Sequence, residues 1–279
     1  MARFLKYDLT KGDPSIIKKV NEVDCLVHLA AYVPKSMRND DGNKSIETSI
    51  KGTYNLLNDF RSKVKKIVFA STLEVYGLPI TSPIDETHPT CPLTYYGASK
   101  LAAENYISVF SRDNEVKNII LRFSSIYGPG EIYDRAIPNF IKAVIRGEPP
   151  IIYGDGSDVR DYLYIEDAVR AIILAIQRDR LGIYNIASGE GISIREIAEK
   201  IIRISGKSLK IVFLPRERPL TRIVFDISKA SKELSFSPRT SIDEGLAKEF
   251  KWYTCNLTTI PSLRQSQKVL ILKKKAMID

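Results

Sequence analysis

Three side chains in the middle of the sequence have the types and spacing of a proton-transfer site. Thr72 lies 24 residues before Tyr96, and Lys100 follows Tyr96 by four. Residues four apart share one face of a helix, so the Lys100 ammonium can approach the Tyr96 phenol. A nearby cation favours the phenolate and lowers its pKa from about 10 towards neutrality. Such a phenolate can take the proton from a carbinol oxygen that Thr72 aligns, which is half of a hydride transfer.

The Tyr–Lys spacing alone is a weak signal, because Tyr7 and Lys11 repeat it near the start of the chain. The surrounding pattern strengthens it. Residues 66–70 are apolar and rich in β-formers, which predicts a short buried strand ending at Ser71-Thr72. In open α/β sheets, ligands bind at the carboxyl ends of the strands. Thr72 is therefore predicted to lie at a ligand-binding edge.

The first half of the sequence alternates predicted strands and helices. Strands are predicted at 24–31, 66–70 and 118–122, with helices at 45–60 and from Tyr96 onward. This order is typical of a parallel sheet covered by helices on both faces, the α/β doubly wound class. The first strand ends in small residues, which let a ligand approach the backbone.

The second half of the sequence changes character. Helices are expected at 136–146, 167–177 and 192–204, the last with Ser193 as its N-cap, and a strand at 209–214. Loop arginines, including Arg160 and Arg216, have planar forks that suit phosphate oxygens. Taken singly, solvated surface arginines are the alternative.

Several motifs together carry a family resemblance. They are Leu-Ala-Ala at 29–31, Ser-Thr-x-x-Val-Tyr-Gly at 71–77, Tyr96 with Lys100, Arg122, and Gly-Asp-Gly at 154–156 followed by Arg160-Asp161. From about Phe4 to Tyr253 the chain resembles the extended short-chain dehydrogenases/reductases, specifically the NAD-dependent nucleotide-sugar epimerase/dehydratase group. The motifs are specific to that group and much less specific for one reaction.

The resemblance implies an enzyme that uses NAD, with Thr72, Tyr96 and Lys100 as its catalytic residues. Tyr96 would be the base, and Lys100 would bind the nicotinamide ribose and tune Tyr96. The cofactor-binding residues implied are Asp8, Leu9, Leu29, Ala30, Ala31, Ser49, Tyr96, Lys100 and Ser124. The substrate-binding residues implied are Thr72, Glu74, Ser125, Arg160 and Arg216. His28 is expected to be a packed residue rather than a catalyst.

The resemblance also implies a domain organisation. Residues 1–122 with 161–178 would form the NAD-binding Rossmann-type domain, 123–160 with 179–253 a smaller α+β nucleotide-sugar-binding lobe, and 254–279 a flexible basic tail. The family's opening Gly-x-x-Gly-x-x-Gly unit does not occur in this sequence. We therefore expect an N-terminally incomplete Rossmann-type sheet, from a gene model that starts late or a natural remnant. Such a sheet would expose an edge and a helix face.

The predicted function is a UDP-hexose 4-epimerase that works through a 4-keto intermediate. Leu73 stands where the 4,6-dehydratases have an aspartate, so dehydration is disfavoured. Glu74 keeps a UDP-glucuronate decarboxylase open as an alternative. A catalytically silent sugar-nucleotide-binding fragment is the third hypothesis, because NAD must remain bound through the cycle.

Composition excludes few classes of protein. The formal net charge is +9, which suits a phosphorylated anionic substrate. The basic residues are scattered, which does not favour nucleic-acid binding, and no run approaches a membrane span. Cys25, Cys91 and Cys255 have no metal-binding spacing and indicate the reducing cytoplasm. The resemblance implies a homodimer that pairs the helices near 45–60 and 96–111.

Overall fold

The computed structural model describes residues 4–20, 22–35, 40–216 and 218–256. The chain divides into two compact units. The first comprises Met1–Ile126, Asp161–Gly191 and Thr221–Arg239, and the second Tyr127–Arg160, Ile192–Leu220 and Thr240–Asp279. From residue 257 onward, the predicted basic tail lies outside the described residues.

The described elements follow in chain order. The strands are β1 (Leu26–His28), β2 (Lys66–Thr72), β3 (Lys117–Phe123), β4 (Ser125–Tyr127), β5 (Ile151–Tyr153), β6 (Val159–Tyr164), β7 (Gly182–Ile186), β8 (Gly191–Ser193), β9 (Val212–Leu214) and β10 (Arg222–Ile223). The α-helices are α1 (Gly42–Lys44), α2 (Gly52–Asp59), α3 (Tyr95–Asp113), α4 (Ala136–Ile145), α5 (Ile165–Gln177), α6 (Ile194–Ser205), α7 (Ser228–Leu234) and α8 (Ile242–Asn256). The π-helical segment Ser45–Lys51 joins α1 to α2, and 3-10 turns span Pro14–Lys19 and Leu73–Val75. None of the helices in these ranges is long and apolar enough to cross a membrane.

A parallel sheet forms the centre of the first unit, in the order β1-β2-β3-β7. Its inner strands are buried on both faces: Val68 and Ile119 are fully inaccessible, as is Leu121. Strands enclosed on both sides need continuous apolar runs rather than alternating ones, and that is the pattern of β2 and β3. The predicted α/β class with a parallel sheet is confirmed.

The first unit has β1 as a terminal strand and an apolar helix face that is partly exposed. β1 stands at the end of the strand order, with β2 as its strand partner among the described residues. On α5, Val169, Ile173 and Ile176 form a stripe of helical spacing and are 47%, 46% and 39% exposed. Apolar stripes of this kind favour association.

In the second unit, helices α4, α6 and α8 pack together, and β5 pairs in parallel with β9. The expected N-cap of α6 is confirmed: Ser193 and Glu196 form a reciprocal capping box. Residues 179–191 and 221–239, predicted for the smaller lobe, lie in the first unit instead. The reason is that β7 pairs with β3, and α7 packs against β7.

Candidate active site

The carboxyl ends of three neighbouring strands carry half of the predicted site residues of the first unit. Leu29 to Ala31 follow β1, Thr72 ends β2, and Ser124 and Ser125 follow β3. In the register Thr72 lies opposite Phe123, so Thr72 and Ser124 leave adjacent strands at almost the same level. The sheet therefore brings these residues to one edge, where ligands bind in parallel sheets.

Helix α3, which carries Tyr96 and Lys100, packs against the 3-10 turn that follows β2. Thr94 caps the helix by accepting from the Gly97 N–H at 2.9 Å, and its hydroxyl donates to Glu74 Oε2 at 2.6 Å. A Cβ atom at Gly97 would lie 2.7 Å from the Glu74 carbonyl oxygen. The glycine after Tyr96 thus permits a backbone approach that a larger residue would block.

Asp40 also holds the start of α3, and sequence reasoning missed it. Its Oδ2 accepts from the Tyr95 N–H at 2.6 Å and from the Tyr96 N–H at 3.3 Å. A carboxylate at a helix N-terminus satisfies orphan donors and suits the helix dipole. Asp40 therefore fixes the backbone of Tyr96. It lies 55 residues before Tyr95, so no local signal pointed to it.

Lys100 is almost completely buried, at 2% exposure. Its Nζ lies 4.0 Å from the centroid of the Phe69 ring, a favourable cation–π position. Burial lowers the pKa of Lys100 to about 7, and the Glu104 carboxylate opposes that shift. The amine therefore titrates near neutral pH, where a change in its charge would act on Tyr96.

His28 lies beside Lys100 and is neutral. Burial, followed by the charge of Lys100, lowers its pKa to about 3. The Thr53 hydroxyl donates to the Ser49 carbonyl at 2.6 Å, so its oxygen is left to accept from His28 Nε2 at 2.9 Å. His28 is 3% exposed and packed on Phe69, which agrees with the structural role expected from the sequence.

A buried polar network lies behind the site, and its central residue was also missed. Arg122 forms a bidentate ion pair with Glu104, and Ser71 Oγ donates to the same carboxylate. The Arg122 guanidinium also lies 4.8 Å from the Tyr76 ring centroid. Glu104 follows Lys100 by four residues, and that spacing was the available signal.

Two buried hydroxyl groups on predicted cofactor-binding residues suit a polar ligand. Ser49 Oγ and Ser124 Oγ are buried and have no hydrogen-bond partner among the residues that the structure describes. Buried polar groups in folded proteins are nearly always paired, so a ligand that supplies partners fits here. Ser49 belongs to the π-helical segment, a rare geometry that often occurs at functional sites.

The predicted cofactor-binding residues Asp8, Leu9, Leu29 and Ala30 have mixed surroundings. The exposed Asp8 accepts from the Thr10 N–H and hydroxyl, and these bonds lower its pKa. The Leu9 carbonyl accepts from Asn55 Nδ2 at 2.8 Å. Leu29 is 56% exposed, and Ala30 is also exposed. The cofactor-binding roles of these residues stay predictions.

The two predicted phosphate-binding arginines lie in the second unit. The half-buried Arg160 donates from Nη1 to the Val159 carbonyl at 2.9 Å. The Arg216 guanidinium is ion-paired with Asp155 and Asp158 and lies over Gly154, where a Cβ would be 2.8 Å from Cζ. A diphosphate would have to replace these carboxylates on Arg216. The binding roles of both arginines, and of Ser125 and Glu74, stay predictions.

Sequence comparison links the chain to one enzyme family. The family described as "NAD dependent epimerase/dehydratase family" matches residues 1–187. A Methanocaldococcus jannaschii protein provisionally named UDP-glucose 4-epimerase is 34% identical over 270 residues, 92% of this chain and 86% of that protein. A UDP-N-acetyl-alpha-D-glucosaminuronate decarboxylase of Bacillus cytotoxicus is 31% identical over 259 residues, 86% of this chain and 79% of the enzyme. Similarity therefore does not single out one reaction.

Solved structures agree with the family. UDP-glucose 4-epimerase of Thermotoga maritima with UDP-glucose has a TM-score of 0.83 and 29% identity, covering 92% of this chain and 85% of the epimerase. UDP-glucuronic acid 4-epimerase of Bacillus cereus with UDP-glucuronic acid and NAD has a TM-score of 0.81 and 30% identity, covering 91% and 82%. The predicted resemblance, fold and enzyme class are confirmed, and so is the use of NAD as a property of the family.

Proposed function

The chain belongs to the NAD dependent epimerase/dehydratase family, and on that premise we propose that it is a nucleotide-sugar 4-epimerase acting on a UDP-hexose. One observation carries the proposal. Tyr96 and the buried Lys100 share a face of α3, and Gly97 holds that helix against Glu74, just after the strand that ends at Thr72. This arrangement suits removal of a proton from a secondary hydroxyl group.

Each residue then has a defined task. The Tyr96 phenolate takes the proton from the 4-hydroxyl and later returns it, while the Thr72 hydroxyl aligns the same oxygen. The Lys100 ammonium stabilises the phenolate from within a dry site, where its charge acts strongly. Bound NAD would supply hydride acceptance and return. Ser49 and Ser124 would offer their unpaired hydroxyl groups to it.

The test is turnover of UDP-galactose by the purified protein with added NAD, measured as the formation of UDP-glucose. Tyr96→Phe removes the phenol and keeps the ring, so we expect a loss of about 10³-fold in kcat. Tyr95→Phe, on the exposed neighbouring tyrosine, is the matched control and should retain activity. Equal rates for wild type and Tyr96→Phe would refute the proposal.

Two other outcomes would redirect the assignment. Release of CO2 from UDP-glucuronate, lost in Glu74→Gln, would identify a decarboxylase. The hydrogen bond from Thr94 to Glu74 already gives that carboxylate a capping role, which is why we rank epimerisation first. Tight UDP binding with no NAD binding by calorimetry would identify a silent sugar-nucleotide-binding fragment.

We also propose that the protein is a homodimer that pairs α2 and α3 with their copies. Tyr54, Tyr106 and Val109 are about half exposed, at 53%, 48% and 48%, and the two tyrosine rings meet edge-to-face at 6.4 Å. An exposed aromatic patch on two adjacent helices is typical of a protein interface. Analytical ultracentrifugation should give a dimer for wild type and a monomer for Tyr106→Glu. The cytoplasmic location stays a prediction.

A further inference from the structure

A buried ion pair lies one helical turn beyond Lys100. Glu104 and Arg122 are 2% and 4% exposed, and Arg122 Nη2 donates to Glu104 Oε2 at 2.6 Å while its Nε donates to Oε1 at 3.1 Å. Ser71 adds a third hydrogen bond to the same carboxylate. Taking two charges out of water is costly, so a buried pair is weak evidence of a stabilising role. A functional reason for the pair is therefore worth testing.

The position of Glu104 supplies that reason. Side chains four apart on a helix are neighbours, so Glu104 faces Lys100 on α3. Burial of the Lys100 ammonium favours its neutral form, and the Glu104 carboxylate acts in the opposite direction on its pKa. On the other side, His28 is neutral and offers no negative charge.

The remaining charged groups on elements packed against α3 have other partners. In the 3-10 turn, the Glu74 carboxylate accepts from Thr94. In the π-helical segment, Glu47 pairs with Lys51 at 3.0 Å, and both are exposed. On β3, Arg122 is bound to Glu104 itself. Glu104 is thus the carboxylate best placed to balance the charge of Lys100.

We propose that Glu104 is a positioning residue that acts through Lys100: its carboxylate, paired with Arg122, keeps the buried Lys100 ammonium charged beside Tyr96. The proposal rests on the proposed function, in which that ammonium serves Tyr96. The hydrogen bond from Ser71 also fixes the residue next to Thr72, so the same carboxylate links the strand end to the helix.

The direct test is an NMR titration of Lys100 in the protein without added ligands. In lysine-labelled protein, the Lys100 signal is assigned by its loss in Lys100→Met and followed against pH. We expect Glu104→Gln to lower the titration midpoint by about one pH unit. Asp113→Asn is the matched control, because Asp113 lies on the same helix in an exposed pair with Arg112. It should leave the midpoint unchanged.

A second variant keeps the test decisive if Glu104→Gln does not fold. The double variant Glu104→Gln/Arg122→Met removes both buried charges. Of the two, the Glu104 carboxylate has the larger effect on the pKa of Lys100. In the double variant, the Lys100 midpoint should therefore fall by less than in Glu104→Gln. In Glu104→Asp, which keeps the negative charge, the midpoint should lie close to the wild-type value. The proposal would be overturned if the Lys100 midpoint were equal to or above the wild-type value in whichever of these two charge-removing variants folds.

Activity gives an independent reading. With NAD and UDP-galactose as reactants, kcat is measured as a function of pH. In Glu104→Gln, the fall of kcat at alkaline pH should move to lower pH by the same amount as the Lys100 midpoint, and KM should stay unchanged. If wild type does not epimerise while the midpoint still moves, the proposed function fails and the link between Glu104 and Lys100 stands. If wild type epimerises and the midpoint does not move in Glu104→Gln, the proposed link between Glu104 and Lys100 fails while the proposed function stands.

Discussion

Two regions of the first unit differ in how completely they are closed. Around α3, β2 and β3, the ammonium, the carboxylate and the guanidinium are all buried, and the last two are paired. Around β1 and α5, apolar side chains such as Leu29 and Ile173 are exposed. These three charged groups are thus enclosed by the elements that carry them. The surface around β1 and α5 is the open part, so substitutions there should disturb the fold less.

The largest expected effect on stability comes from a substitution in the closed region. Arg122→Met leaves the Glu104 carboxylate buried without its partner, which should cost about 3–5 kcal/mol of unfolding free energy. Urea denaturation at neutral pH measures this. Arg112→Met removes an exposed pair with Asp113 and should change stability by less than about 0.5 kcal/mol. Similar costs for the two variants would contradict the contrast between buried and surface pairs.

A second prediction concerns the pH dependence of stability. Burial lowers the pKa of Lys100 from 10.5 to about 7, so between these values the unfolded chain holds a proton that the folded chain has released. Stability contributed by this site must therefore rise as pH increases from about 7 to 10.5.

Lys100→Met tests this sign. Relative to wild type, the variant should be more stable at pH 7 by up to about 4 kcal/mol, a gain that shrinks towards pH 10.5. It should also lose most of its epimerase activity. Thermal melts of both proteins across this pH range give the difference curve, and a gain that grows with pH would reverse the argument.

A third, smaller effect tests the contact between α3 and the 3-10 turn after β2. Gly97→Ala places a Cβ 2.7 Å from the Glu74 carbonyl oxygen, so the backbone must shift. We expect a cost of about 1–3 kcal/mol and a lower kcat. Ala98→Ser, at the exposed next position, is the control and should behave as wild type. A fully active, fully stable Gly97→Ala variant would show that this close approach is not required.

The smallest expected effect lies in the open region. Ile173→Gln on the exposed face of α5 should change unfolding free energy by less than about 0.5 kcal/mol and reduce self-association at high concentration. Chemical denaturation measures the change in unfolding free energy, and light scattering measures self-association. Ala171→Gln, on the buried face of the same helix, should be strongly destabilising. If Ile173→Gln destabilised the fold as much, the stripe would not be an open surface.

Much of the site could be predicted because its signals are local. The spacing of Tyr96 and Lys100 follows from helix geometry, and the apolar run before Thr72 predicts a buried strand and hence a ligand-binding edge. The cap at Ser193 is a short-range pattern of the same kind. Each of these depends on residues within a few positions of one another, and the structure has the helix, the strand and the cap as expected.

Other features needed the tertiary structure, because they join residues far apart in the chain. Asp40 reaches the start of α3 across 55 residues, and Ser71 and Arg122 meet Glu104 from two strands. The extent of the first unit was set by the pairing of β7 with β3. The sequence by itself determined which residues could transfer a proton. Only the folded chain decided how dry the surroundings of Lys100 are and which carboxylate balances its charge, because burial and long-range pairing arise when separate elements pack together.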